Sequence, residues 1–221
     1  MKRSLKMQLA LGILSAASFH LYAAGRQSDR AERQPVAIHV YDLAGVSSRD
    51  LHEATEEAGR ILATAGVEAV WQFGPADTPE AHEVDSHAAT PGARNQPRDP
   101  RDYLVLRMVR DVPERALPGA LGISFPDALT GVHASIFYDR IERVSKTGDV
   151  ALATMLGHAM AHELGHVLLG STEHSAGGIM KARWGKSDYQ QASMGLMTFS
   201  ALERNAIQKR TAVRLSARTQ N

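Results

Sequence analysis

From Val150 to Leu169 the chain reads VALATMLGHAMAHELGHVLL, and Glu163 is the one formally charged residue in that stretch. A segment this apolar on all sides of a helix belongs inside a protein or inside a membrane. Histidines and glycines make it a poor membrane span, so it predicts a buried central helix. A lone carboxylate in such a helix needs a compensating partner. Burying it unpaired would cost on the order of several kcal/mol or more.

Composition narrows what that partner can be. The 221 residues include no cysteine, which excludes disulfide scaffolds, thiolate-ligated zinc, thiol nucleophiles, CxxC redox chemistry and lipid attachment through a cysteine. A metal site must therefore use carboxylates and the 10 histidines. Lys+Arg 25 against Asp+Glu 24, spread along the chain, argues against a nucleic-acid-binding surface. The length suits one globular domain with small appendages.

Within the buried helix stands His162-Glu163-Leu164-Gly165-His166. Helical residues four apart share a face, about 40° out of line and roughly 6 Å apart. Two imidazoles so placed can reach one zinc ion through bonds of about 2.0–2.1 Å. Glu163 sits one step round the helix, close to the ion without ligating it. From there it can take a proton from a water that zinc has made acidic. His158, one turn upstream, reads as packing or as support, because a third ligand from the same face would overreach a tetrahedron. The reading without a metal is a set of core histidines satisfied by their neighbours, which leaves Glu163 without a reason to be there.

The third ligand is expected beyond the helix. Gly170 can take the left-handed conformation that ends a helix, and His174, four residues on, can swing back toward the ion. His174 is favoured on imidazole's affinity for zinc. Glu173 is its competitor, and Asp188 is a further carboxylate option.

The rest of the chain supplies a scaffold. Residues 1–24 read as a secretory signal peptide: Lys2, Arg3 and Lys6, an apolar run from Met7 to Phe19, then Ala23 and Ala24. An uncleaved anchor is the alternative, and either way the functional part is exported, secreted or periplasmic. Residues 25–34 are polar and expected to be mobile, and 35–221 form the domain. Alternation at Val36, Ile38 and Val40 predicts a strand. Ser47 with Asp50 is a weak capping box, opening a helix that carries Leu51, Ala54, Ala58, Ile61, Leu62 and Ala65 and stops at Gly66. Val67 to Phe73 alternates again, completing a strand–helix–strand unit.

Residues 74–102 read as a long polar loop, in which His82, Glu83, Asp85 and His87 are solvated loop residues rather than a metal site. Strands are expected at Tyr103–Val109, at Gly122–Phe125 as an edge strand between Pro118 and Pro126, and at Val132–Tyr138. Ser200 with Glu203 forms a capping box for a final helix from Ala201 toward Leu215.

The motif His162-Glu163-x-x-His166, followed by Gly170, His174 and Met180 in Gly177-Gly178-Ile179-Met180, resembles that of the metzincin clan of zinc metallopeptidases, HExxHxxGxxH with a downstream Met-turn. Here glycine follows the second histidine by four residues instead of three, and the next histidine by eight instead of six; one extra helical and one extra turn residue would preserve the geometry. The element order also matches, over roughly Pro35 to Arg214.

The resemblance implies an α+β single domain: a mixed, mostly parallel twisted sheet with an antiparallel edge strand, a central zinc helix and a C-terminal helix. It implies a zinc metalloendopeptidase acting on a protein or peptide laid along the edge strand near Leu121–Phe125, with Zn2+ as cofactor. His162, His166 and His174 would be ligands, Glu163 the general base, and Met180 a hydrophobic floor under the metal. Ala182 stands where some members carry a tyrosine, so no tyrosine is carried over. The alternative is a catalytically silent zinc-binding module of the same fold, acting in binding or structure.

Overall fold

A computed structural model describes residues 33–75, 103–113, 116–126 and 132–218. The expected leader, most of the polar segment behind it and the loop bearing His82, Glu83, Asp85 and His87 lie outside the described residues. None of the described helices is long and apolar enough to cross a membrane.

Strand β1 (Gln34–Asp42) alternates as its sequence predicts, with Val36, Ile38 and Val40 turned into the core. Ser47 caps α1 (Ser48–Thr64) by accepting the Asp50 N–H at 3.1 Å, and its hydroxyl donates to the Asp50 carboxylate at 2.6 Å. A Glu or Gln in that place would reach the backbone of the cap instead. Helix α1 buries Ala54, Thr55, Ala58, Ile61 and Leu62, one face at helical spacing.

Strand β2 (Val67–Gly74) returns parallel to β1, and β3 (Tyr103–Val109) lies parallel on the other side of β1. Strand β5 (Val132–Phe137) continues parallel to β3. Strand β4 (Gly122–Phe125) runs antiparallel to β5 and ends the sheet, whose order is β2-β1-β3-β5-β4. Leu104, Leu106, Met108, Ala134 and Ile136 are fully buried. Being two apart along their strands, they share the sheet face that the helices cover.

The expected strand ends one residue early. Tyr138 is not its last residue but the first of a helix, α2 (Tyr138–Gly148), which the sequence did not announce. Its apolar pattern is thin: only Ile141 and Val144 punctuate a polar run. A second unannounced helix, α4 (Lys186–Ser193), is short and equally polar.

The central element is α3 (Leu152–Leu169), in which Ala153 and every residue from Met155 to Leu168 are buried. It packs against β3, β4 and β5, and against α1, α2, α4 and the last helix, α5 (Ala201–Arg218). This encirclement is what the uncharged stretch requires. The capping box of α5 forms as expected: Ser200 N–H donates to Glu203 Oε2 at 2.6 Å and Glu203 N–H to Ser200 Oγ at 3.3 Å.

Candidate metal centre

Three imidazoles converge above α3. One ring nitrogen from each of His162, His166 and His174 lies within 4.8 Å of the other two. His162 and His166 are buried on the helix, and His174 is exposed in the segment that follows it. Helix α3 ends at Leu169, and Gly170 takes φ +60°, a left-handed cap that lets Ser171 N–H donate to the His166 carbonyl at 3.2 Å. The chain then turns back over the helix and brings His174 to the other two.

The proton positions on the buried pair follow from their partners. His162 Nδ1 faces the Ile179 carbonyl at 2.7 Å, and His166 Nδ1 faces the Ser171 carbonyl at 2.8 Å. A carbonyl can only accept, so each Nδ1 carries the proton and each Nε2 a lone pair. The two Nε2 atoms stand 3.1 Å apart. With no proton available to either, that contact is not a hydrogen bond but two lone pairs held together. A cation between them would resolve the repulsion. In a tetrahedral site with bonds of about 2.0–2.1 Å, neighbouring ligand atoms are about 3.3 Å apart, so the donor set fits zinc.

Burial pulls His162 down to about 3, against the Ile179 bond and with help from His166 and His174. It also holds His166 and His174 below the usual imidazole value. All three rings are therefore neutral near pH 7, the form that binds a metal.

Glu163 is 6% exposed and lies against the edge strand. Burial pushes its carboxyl up to about 8, opposed by a hydrogen bond from the Ser124 side chain. Gly122 lets β4 approach this closely: a Cβ there would lie 2.7 Å from Glu163 Cγ and 2.7 Å from the Ser135 carbonyl oxygen. Met180 is 1% exposed, and a Cβ on Gly165 would meet its Sδ at 2.6 Å. The glycine before His166 thus admits the methionine to the helix surface.

No family model matches the sequence, and no curated protein does. Among solved structures, the crystal structure of archaemetzincin from Methanopyrus kandleri superposes with a TM-score of 0.50 at 14% identity, covering 83% of this chain and 98% of that one. The fold is metzincin-like. Its five-stranded, mostly parallel sheet with one antiparallel edge strand agrees with the architecture that the sequence motif implied.

Other residues of the metzincin-like fold find different places. His158 is fully buried but outside the cluster; its Nδ1 donates to the Thr154 carbonyl at 2.8 Å, and its ring meets the edge of Trp184. Glu173 is exposed and is not part of the three-histidine group. Asp188, the other carboxylate option, is engaged elsewhere, accepting from Lys181 Nζ and from Gly185 N–H at 2.7 Å each. Sequence reasoning missed Trp184, whose ring stands edge-on to His162 at 5.5 Å, and Ser124 and Gly122 as neighbours of Glu163. Spacing carried no signal for them, because they come from other elements.

These groups open into a cavity of about 600 Å3. Its walls include Leu117 to Ser124 and Lys181 to Trp184, with the three histidines and Glu163 among the lining residues.

Proposed function

We propose that this chain is an exported zinc-dependent metallopeptidase. The observation that carries the reading is the pair of Nε2 lone pairs 3.1 Å apart, with a third imidazole and a buried carboxylate beside them. His162, His166 and His174 would hold the ion, their rings oriented in two cases by backbone carbonyls. Zinc in that position supplies Lewis acidity, polarising a peptide carbonyl and bringing the pKa of a water down to about 7.

The chain's own residues do the rest. Glu163 takes the proton of the attacking water onto its carboxylate and returns it to the nitrogen of the leaving amine. Burial raises its proton affinity, and a divalent cation beside it would lower it again, leaving an ionised carboxylate to act as the base. Ser124 and the backbone at Gly122 keep the carboxylate in place while this happens. Strand β4 pairs with β5 on one side and ends the sheet on the other. An extended peptide can add there through backbone hydrogen bonds, which brings an internal bond of the substrate to the site and supports endopeptidase action.

Replacing Glu163 by Gln tests the reading. The variant should keep about one zinc per chain and lose peptide hydrolysis by about a hundredfold or more, as expected when a general base is removed. A zinc-loaded Glu163→Gln protein that cleaves as fast as wild type removes the catalytic assignment. A wild type that binds zinc yet cleaves no peptide leaves a binding module of the same fold.

A further inference from the structure

The segment behind Met180 is clamped, and the clamp leaves one cation uncommitted at the cavity. Asp188, on the first turn of α4, is 7% exposed. Its Oδ2 accepts both Lys181 Nζ and Gly185 N–H, at 2.7 Å each, so one carboxylate ties the two ends of residues 181–185 together. Burial pushes that carboxyl up, but the bonds from Gly185 and Lys181 outweigh it and hold it below its ordinary value. Two more bonds stiffen the stretch: Ser175 N–H to the Met180 carbonyl at 2.9 Å, and Tyr189 O–H to the Trp184 carbonyl at 3.0 Å.

Lys181 is thus neutralised by its partner. Arg183, between the clamped ends, is exposed, lines the cavity and has no ion pair or hydrogen bond among the described residues. Glu163 is the one carboxylate among the described residues that line the cavity, and in the proposed mechanism it faces the metal. Leu117 to Ile123, which also line the cavity, bring no charge. An unpaired guanidinium on such a wall complements an anion, and the anion a peptide offers is a carboxylate, which it can grip through two parallel hydrogen bonds.

We propose that Arg183 selects peptides carrying a carboxylate close to the scissile bond, on the side that faces residues 181–184. This rests on the metallopeptidase reading of the same site. The carboxylate could be an acidic side chain or the peptide's own C-terminus, since both present the same group.

The test uses binding before turnover. Labelled peptides identical except for Glu, Gln or Lys at each position around one bond, each as C-terminal acid and C-terminal amide, are titrated by fluorescence anisotropy. The protein is zinc-loaded Glu163→Gln, alone and with Arg183→Gln or Arg183→Glu added. The expected result is a preference of about tenfold for Glu over Gln at one position, or for acid over amide, typical of a charge-assisted hydrogen bond partly open to water. That ratio should fall to about one with Arg183→Gln and should invert toward Lys with Arg183→Glu. Dependence on the acid or amide end assigns the C-terminus, and dependence on Glu assigns a side chain. No carboxylate preference, a preference that survives Arg183→Gln, or no binding by any peptide overturns the proposal. The preference in binding with no cleavage by wild type would sink the metallopeptidase reading alone, whereas cleavage indifferent to carboxylates would sink this one alone.

Discussion

Replacing Gly122 by alanine puts a methyl group where the edge strand meets the glutamate. The new carbon would stand 2.7 Å from Glu163 Cγ, 2.7 Å from the Ser135 carbonyl oxygen and 2.8 Å from Glu163 Oε1. Favourable contact between such atoms begins at about 3.5 Å, so roughly 0.8 Å must be found somewhere. The backbone cannot easily yield it. Gly122 is registered opposite Ile136 in the β4–β5 pairing, and Ser135 belongs to that partner strand. Glu163 can turn aside, whereas clearing the Ser135 carbonyl also requires β4 to shift against β5.

A shift of about 1 Å at a reacting group can cost about a hundredfold in rate, which corresponds to about 2.7 kcal/mol on the barrier. Overpacking should also lower stability by about 1–3 kcal/mol, and for a chain of 221 residues each kcal/mol is about 2–4 °C in Tm. Histidine supplies none of the nearest atoms to the new methyl, so zinc content should stay at the wild-type level. The assay is kcat/KM on any peptide the wild type cleaves, with metal content by mass spectrometry and Tm by scanning fluorimetry. Gly177→Ala is the control, since a Cβ there meets nothing within 4 Å. A folded, zinc-loaded Gly122→Ala enzyme working at the wild-type rate would refute the placement of β4 against Glu163.

The remaining expectations concern the metal and the sheet. His174→Ala should weaken zinc binding by about a hundredfold or more while Glu173→Ala leaves it near wild type; equal effects would contradict the ligand set, and competition with a chromophoric chelator measures both. Stripping zinc should lower Tm by about 8–16 °C when the starting free zinc is about 1,000 times its Kd, a linkage of about 4.1 kcal/mol; a shift under about 2 °C would speak against a folded-state site.

His133, on β5, is pulled down to about 4 by burial and then by the Arg107 charge, from an unfolded value of 6.5. Because the folded value is the lower one, the unfolded chain binds the extra proton between pH 6.5 and about 4. The His133 contribution to stability is therefore complete above pH 6.5 and lost as pH falls toward about 4. Urea titrations should show wild type losing more stability than His133→Gln across that window, and parallel losses would count against it.

Two helices show where sequence patterning fades. Helices α2 and α4 hold few apolar residues, and what fixes them is contact with α3, which both pack against. Tyr138 shows the same effect at a boundary: its alternation with Ile136 continues the strand pattern, yet the chain turns into α2 there. Caps were more legible, because Ser47 and Ser200 act within three residues of themselves. Gly170 was legible for the same local reason.

What the sequence alone determined is what periodicity and burial cost control: a buried helix with His162 and His166 on one face, the strands around it, and a carboxylate that needs a cation. Tertiary structure decided the partners that lie far along the chain. It brought His174 to His162 and His166, tied Asp188 to Lys181, laid Ser124 and Gly122 against Glu163, and turned two histidine rings toward the Ile179 and Ser171 carbonyls. The helix repeat fixes neighbours three and four residues away. Contacts between elements depend on how whole surfaces pack, and no short spacing encodes that.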